Sequence, residues 1–243
     1  MRYKVTVAYD GSEYHGWQTQ RKGNSIEEAI EKVLYTMHDS EVEIVGSGRT
    51  DSKVHALGQV FHFDSSLGLS KERMKEALNA QLDRSIRIKT VETVSDDFHA
   101  RFDAKGKRYE YFVSKDTSNP FIRKYMDIDY HPLALKAMQE AATIFVGTHD
   151  FTSFTSSKID QRKDRIRTIT KFEVSQDGEV THFVIEGDGF LRYMVRMMVQ
   201  TIIMVGKGKV SIEEVEQMLL AKNKHTCKYK ANACGLYLVE VKY

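Results

Sequence analysis

The sequence predicts an α+β protein made of two halves with largely antiparallel sheets. Strand-like and helix-like segments alternate along the 243 residues, but several neighbouring strands are joined by short loops, which argues against a parallel wound sheet. The second half repeats the pattern of the first without repeating its sequence. Neither of the two prolines marks a flexible linker, so we place the boundary near residue 104 and expect halves of 1–104 and 105–243.

In the first half, alternation and capping residues define the elements. Residues 2–8 alternate apolar and polar side chains, as a half-buried strand does. Asn24 or Ser25 supplies the cap of a helix that reaches about Met37, and another helix follows Ser70. Further strands are predicted near 42–47, 58–64 and 86–93, and the first two of these flank a polar loop.

In the second half, the same signals predict three helices. Pro132 favours the first turn of a helix that runs to about residue 145. A second helix is expected over 190–205, where glycines end it. Ser211 and Glu214 form a capping box for a third. Strands are predicted near 108–113, 166–175, 181–187 and 236–241.

Composition excludes several classes of protein. A hydrophobic content of 41% is enough for a sizeable core, yet no apolar run reaches the ~18 residues of a membrane span. The first residues enter a strand and lack the apolar core of a signal peptide. Cys227 and Cys234 match neither a zinc pattern nor a disulfide framework. We therefore expect a cytoplasmic protein without a metal, and no phosphate-loop or dinucleotide pattern implies a cofactor.

The distribution of charge says more than its sum. The net charge is only +2, but cations cluster while acids gather on predicted helices. Such segregation suits a protein with one basic face, although each cluster alone also fits a solvated surface. The basic clusters lie at 105–108, 158–171 and 222–230.

The polar loop after the second strand holds the first candidate site. Arg49 and Asp51 stand two residues apart between two strands, so their side chains can point at one spot and keep each other charged. That arrangement is one way to present a reactive carboxylate. Asp51 can equally be an Asx-turn acid that holds the loop, with Arg49 as its structural partner.

Tyr109 and Tyr111 form the second candidate site. In an alternating strand they share one face, and Arg108 and Glu110 share the other. An aromatic ring beside cations can stack on a flipped base while the cations hold phosphate. The competing interpretation is core packing, which we favour for Tyr111.

Arg192 and Arg196 lie four residues apart in the predicted helix over 190–205, whose methionines and aliphatic residues are core-like. An arginine on an apolar helix is costly to bury unless it is paired. A carboxylate partner is therefore expected, and Asp51 is the candidate. The alternative is an arginine that snorkels to the surface.

Six blocks of the sequence, in order, resemble the tRNA pseudouridine synthase A family. The clearest, Gly48-Arg49-Thr50-Asp51 followed by Val54-His55-Ala56, is similar to its catalytic loop. The others lie at 9–20, 98–109, 150–154, 190–196 and 235–238.

The resemblance implies a tRNA-uridine isomerase that acts on the anticodon stem-loop, at the thirty-eighth to fortieth nucleotides. It implies a homodimer that uses no cofactor. Within each chain, two similar halves would join around a central basic cleft, with helices on the outer faces. Asp51 would be the catalytic residue and Arg196 its partner, while Tyr109 and Arg49 would bind the substrate. We expect further contacts with the RNA from Lys53, Lys107, Arg108, Arg162, Lys163 and Arg165.

Three departures from the family pattern leave an alternative open. Lys53 and Gln200 stand where the family usually has glycine, and Asp83 stands where it usually has proline. A catalytically impaired paralogue that only binds RNA is therefore the runner-up. A glycoside hydrolase would need a second carboxylate beside Asp51, for which Asp103 or Asp188 are the candidates.

Overall fold

The computed structural model of the protein describes residues 1–20, 23–156 and 164–243. The chain divides into two compact units, Met1–Lys105 with Tyr237–Tyr243, and Gly106–Leu236. This division differs from the expected halves, 1–104 and 105–243, in its assignment of the C-terminal segment.

Within the described residues, the elements follow the predicted alternation. The strands are β1 (Arg2–Tyr9), β2 (Val45–Gly46), β3 (His55–Asp64), β4 (Ile86–Val94), β5 (Gly106–Ser114), β6 (Asp127–Ile128), β7 (Gly147–Asp150), β8 (Ile166–Asp177), β9 (Val180–Gly187) and β10 (Leu236–Lys242). The α-helices are α1 (Ile26–His38), α2 (Lys71–Gln81), α3 (Leu135–Thr143), α4 (Met194–Gly206) and α5 (Ile212–Leu220), and short 3-10 helices cover Pro120–Lys124 and Thr152–Phe154.

In the first unit, β1 is the centre of the sheet and pairs antiparallel with β3 and with β4. On the other edge of β3, β2 pairs antiparallel near its end, and β10 pairs parallel near its beginning. The pairing of Tyr237 with His55 is why the C-terminal strand belongs to this unit. The alternation predicted for β1 is present, because Tyr3, Val5 and Val7 are fully buried.

In the second unit, β5, β9, β8 and β7 follow one another in the sheet, all antiparallel. The short strand β6 adds to β5 in parallel. Helix α4 is buried along almost its whole length, and α3 packs against it and against β8. Met194, Met197 and Met198 of α4 are core residues, as the apolar periodicity predicts. The α+β class with largely antiparallel sheets is therefore confirmed.

Helix caps are the best-predicted local features. Ser25 and Ser70 accept backbone N–H groups at the starts of α1 and α2, and Ser211 with Glu214 forms the predicted capping box of α5. The helix expected over 190–205 begins only at Met194, because Tyr193 adopts a left-handed conformation (φ 67°) that helical residues do not share.

No helix in the described parts of the chain is long and apolar enough to cross a membrane.

Candidate active site

The loop between β2 and β3 carries Asp51. The residue before Asp51 is held by hydrogen bonds to other segments. The Thr50 carbonyl accepts the Trp17 N–H at 3.1 Å, and the Thr50 hydroxyl lies 2.8 Å from the Tyr9 hydroxyl. Thr50 is buried, whereas Asp51 is half-buried and Arg49 is exposed. The backbone is thus fixed on the buried side of the loop, next to the half-buried Asp51.

Inside the loop, backbone hydrogen bonds make a tight turn after Asp51. Its carbonyl accepts the Val54 N–H at 3.1 Å. The Tyr14 carbonyl accepts both the Lys53 N–H and the Ser52 hydroxyl, each at 3.2 Å. The segment that contains Tyr14 and Trp17 therefore holds the loop from outside it.

Gly16 lets this N-terminal segment approach the loop closely. Its φ is +96°, and a β-carbon added there would lie 2.6 Å from the Thr50 carbonyl oxygen and 3.0 Å from the Asp51 carbonyl carbon. Either feature alone disfavours any other residue. The Gly16-Trp17 pair is consequently part of the support of the candidate catalytic loop.

Lys53 has a φ of +66°, in the left-handed region that glycine occupies at little cost. The side chain is exposed. The loop has therefore kept the backbone geometry that suits glycine, and lysine bears a strain of roughly 1–2 kcal/mol there.

Of the two other departures from the family pattern, the structure explains Asp83 but not Gln200. Asp83 accepts the Ser85 N–H at 2.8 Å and the Ser85 hydroxyl at 2.6 Å, and these bonds hold its pKa below the ordinary value. This Asx turn bends the chain after α2, at the position where the family usually has proline. Gln200 is half-buried in α4, and nothing in the structure explains its choice over glycine.

In the second unit, Tyr109 lies on β5 opposite Ile185 of β9 and is 8% exposed. The Phe190 ring meets it edge-to-face at 5.1 Å, which fixes the plane of the tyrosine. Tyr111 is fully buried, and its hydroxyl donates to Asp127 Oδ2 at 2.7 Å. Its expected core role is confirmed.

The cations expected to contact RNA differ in how they are engaged. Arg108 forms an ion pair with Glu110 at 2.6 Å, and His182 Nε2 lies 3.0 Å from the same carboxylate. Arg165 lies 3.4 Å from the Thr152 hydroxyl through Nη1. Lys107 is half-buried on β5. Arg162 and Lys163 lie outside the described residues.

Arg196 lies in the first turn of α4, and its side chain is held at the Nε end of the guanidinium. Its Nε donates to the Ala231 carbonyl at 2.8 Å, and its own carbonyl accepts the Ala231 N–H at 3.0 Å. The guanidinium carbon lies 5.5 Å from the centre of the Tyr193 ring. Arg192, expected on the same helical face, precedes the helix and is exposed.

The candidate residues thus fall into both units. Asp51 and Arg49 lie in the first, and Tyr109 and Arg196 lie in the second. The pairing of Asp51 with Arg196 stays a prediction. Among the described residues, no group of three or more histidine, cysteine or acidic side chains is arranged to hold a metal ion.

Comparison with known proteins identifies the family. A model described as tRNA pseudouridine synthase matches residues 5–103 and 141–243. The chain belongs to the tRNA pseudouridine synthase family. Pseudouridine synthases are isomerases, so the expected enzyme class is confirmed, and the resemblance seen in the sequence is confirmed with it.

Individual relatives in this family match over the full chain. A protein named tRNA pseudouridine synthase A from an Exiguobacterium species is 46% identical over 100% of this chain and 98% of its own. Relatives of the same name from Oceanobacillus iheyensis and Bacillus licheniformis are each 42% identical over 100% of this chain, covering 96% and 99% of theirs. A chain in the crystal structure of a Cbf5-Nop10-Gar1 complex is 12% identical, with a TM-score of 0.34, and the match covers 97% of this chain and 56% of that one.

Proposed function

We propose that this tRNA pseudouridine synthase family member converts uridine to pseudouridine in the anticodon stem-loop of tRNA, at the thirty-eighth to fortieth nucleotides, with Asp51 as the catalytic residue. The observation that carries the proposal is the Gly48-Arg49-Thr50-Asp51 loop, present in a chain 46% identical to a tRNA pseudouridine synthase A and braced on the side of Thr50.

The reaction is an isomerisation of one nucleotide. The N1–C1′ bond breaks, the uracil rotates, a C5–C1′ bond forms, and the C5 proton moves to solvent while N1 gains one. The ionised Asp51 carboxylate either attacks C1′ and is later displaced, or removes a sugar proton to give a glycal. Both routes begin with the same charged group in the same position, and neither consumes a further reactant.

Arg196 is proposed as the cation that keeps Asp51 ionised. An opposite charge close to a carboxylate favours its charged form. The local support for this role is that the Ala231 carbonyl holds Nε, which sets the direction of the guanidinium. A guanidinium with one edge fixed presents its other nitrogens in a defined plane.

Tyr109 is proposed to contact the uracil that leaves the helix, with Arg49 as a further substrate contact. The support is the fixed plane of Tyr109 against Phe190 and its position on a rigid strand. Flipping a base costs a few kcal/mol, which stacking and phosphate contacts offset.

The proposed phosphate contacts are Lys53, Lys107, Arg108 and Arg165, together with Arg162 and Lys163. Arg108 is the weakest member of this set, because Glu110 already neutralises it. From the family resemblance we also propose a homodimer that works in the cytoplasm.

The test is pseudouridine mapping in unmodified tRNA transcripts after incubation with the protein. The Asp51→Asn variant is expected to form no product while its affinity for tRNA stays within about threefold of the parent. Asp39→Asn is the matched control, since Asp39 is exposed in the same unit and has a φ of +51°, which asparagine tolerates. Normal turnover by Asp51→Asn would overturn the assignment, and product at other uridines would overturn the proposed positions.

A catalytically impaired RNA-binding paralogue is the second candidate, favoured by the strained lysine at position 53. The same experiment separates the two functions, because the paralogue would bind tRNA and form no pseudouridine even with Asp51 intact.

A further inference from the structure

The ring of Tyr193 collects three cations at the start of α4. Lys230 Nζ lies 4.5 Å from the ring centre, and the guanidinium carbons of Arg192 and Arg196 lie at 4.8 Å and 5.5 Å. Arg192 also donates to the Tyr193 hydroxyl at 3.0 Å. Cation–π contacts of this kind favour positive charges over the face of the ring.

The backbone conformation at Tyr193 is strained. Tyr193 has a φ of +67°, which a residue with a bulky side chain rarely adopts. Neighbouring bonds enforce it, because the Arg192 carbonyl accepts the Ser156 N–H at 3.1 Å and the Thr155 hydroxyl at 3.2 Å. The Tyr193 carbonyl then accepts the Met197 N–H at 2.9 Å and begins the helix. Strain held in this way often marks a functional position.

Two of the three cations around the Tyr193 ring have no acidic partner among the described residues. In the parts of the chain that the structure describes, neither Arg192 nor Lys230 forms an ion pair with a carboxylate, and both side chains are exposed. Like charges around one ring repel each other, and the ring offers only its quadrupole in return. An anion bound between them removes the repulsion and gains charge-assisted hydrogen bonds.

We propose that Arg192 and Lys230, gathered by the Tyr193 ring, form a binding site for one phosphodiester group of the RNA substrate. The inference rests on the proposed function in one respect, that the polyanion is tRNA. Arginine can bind a phosphate through two parallel N–H bonds, and lysine adds a point charge from the other side. Arg192 and Tyr193 directly precede the first turn of α4, which contains Arg196, so the site ties the RNA backbone to the helix that carries Arg196.

The test measures equilibrium binding of unmodified tRNA transcript at several salt concentrations. In this test the parent is the Asp51→Asn protein, and every other variant is made in it, so that the tRNA is not modified during the binding measurement. Arg192→Gln and Lys230→Gln are each expected to weaken binding about 3–10-fold at moderate salt and to reduce the slope of log K against log salt by about 1. The single-turnover rate at saturating tRNA, measured with Asp51 restored, is expected to change less than twofold.

Lys136→Gln is the matched control. Lys136 is an exposed cation of the same unit in α3, whose start lies at the far end of α4, because the Ala134 N–H donates to the Gly206 carbonyl. At 1.5 Å per residue, that end is roughly 20 Å from Tyr193. Salt slopes of Arg192→Gln and Lys230→Gln that match Lys136→Gln would overturn the inference.

Two further variants test the role of the ring. Tyr193→Phe keeps the ring and loses only the hydroxyl, so its salt slope is expected to stay within experimental error of the parent. Tyr193→Leu removes the surface over which the cations gather, and its slope is expected to fall as in the cation variants. A Tyr193→Leu protein that folds and keeps the full slope would exclude the ring as the organiser of the site.

Failure of this inference is distinguishable from failure of the proposed function. If the enzyme forms no pseudouridine but the two cation variants reduce the slope, the phosphate site stands and the catalytic proposal falls. If product forms and the slopes do not change, the reverse holds. If tRNA binds neither to the Asp51→Asn protein nor to the protein with Asp51 intact, both are wrong.

Discussion

The hydroxyl oxygen of Tyr9 lies 2.8 Å from that of Thr50, and this contact joins the end of β1 to the loop that carries Asp51. Burial raises the pKa of Tyr9 well above its ordinary value, so the phenol keeps its proton at any physiological pH. The carbonyl of Thr50 is held as well, by the Trp17 N–H. The residue before the candidate catalytic carboxylate is therefore fixed through both its side chain and its backbone.

Tyr9→Phe should lower kcat for pseudouridine formation about 10-fold with little change in KM for tRNA. The variant removes the buried hydrogen bond between the Tyr9 and Thr50 hydroxyls, which lowers the free energy of unfolding by about 1 kcal/mol. It also frees the Thr50 side chain, and small misplacements of a reacting group cost much of the rate. Steady-state kinetics and urea unfolding measure the two effects.

Tyr3→Phe is the control for that prediction. Tyr3 lies on the same strand and is fully buried, but its hydroxyl donates to the Leu69 carbonyl instead of contacting the loop that carries Asp51. A similar loss of stability with normal kcat is expected. If both variants lose kcat equally, the effect comes from stability and not from the loop.

Gly16→Ala should disrupt the loop more severely than a positive φ alone explains. The new β-carbon would lie 2.6 Å from the Thr50 carbonyl oxygen, so the backbone of one segment has to move. We expect the free energy of unfolding to fall by at least about 2 kcal/mol and kcat to fall further than in Tyr9→Phe. Thermal unfolding and product mapping provide the measurements.

The matched substitution for Gly16→Ala is Gly68→Ala in the same unit. Gly68 has a φ of +61° with nothing within 4 Å of the added β-carbon. It should cost only the conformational penalty of roughly 1 kcal/mol and leave kcat unchanged. Equal losses at positions 16 and 68 would show that contact with the loop is unimportant.

Features that depend on neighbours in sequence were predictable, and those that depend on distant segments were not. The caps at Ser25 and Ser211 follow from short-range rules, and so does the alternation of β1. The brace from Trp17 to Thr50 joins residues far apart in sequence, and no periodicity signals it. In the sequence, only Gly16 next to Trp17 indicates that this segment packs closely against another.

The start of α4 shows the limit of periodicity. Apolar residues continue the helical spacing back to Phe190, yet the helix begins at Met194 because the Arg192 carbonyl is bound by Thr155 and Ser156. That tertiary contact overrides the local preference and creates the cation cluster around Tyr193. The candidate site residues are predicted from the family resemblance, since spacing alone leaves Asp51 open to a structural role.

Lys53→Gly should stabilise the protein. Glycine adopts the observed φ of +66° without strain, which outweighs its larger entropy in the unfolded chain. The free energy of unfolding is expected to rise by about 0.5–1 kcal/mol in urea titrations. Lys53→Ala, which removes the charge but keeps the β-carbon, is the comparison, and it should not stabilise. A loss of stability in Lys53→Gly would show that the lysine side chain contributes more than its backbone costs.

The stability of the first unit should fall in mild acid through His62. Its Nδ1 accepts the Ala100 N–H at 3.1 Å, which only a ring with an unprotonated Nδ1 can do. Burial lowers the pKa of His62, Arg2 and His99 lower it further, and Asp64 and Asp103 act in the opposite direction.

Because the folded pKa lies below the unfolded value of about 6.5, the unfolded chain binds the proton more readily. The contribution of His62 is therefore complete above about pH 6.5 and is lost as the pH falls from there through the folded pKa. His62→Asn offers an amide oxygen to the same N–H and does not titrate, so it should flatten the dependence of the free energy of unfolding between about pH 7.5 and 5.5. His225→Asn, at an exposed histidine, should retain the dependence of the parent. If His62→Asn keeps the full dependence as well, another group is responsible for the acid sensitivity.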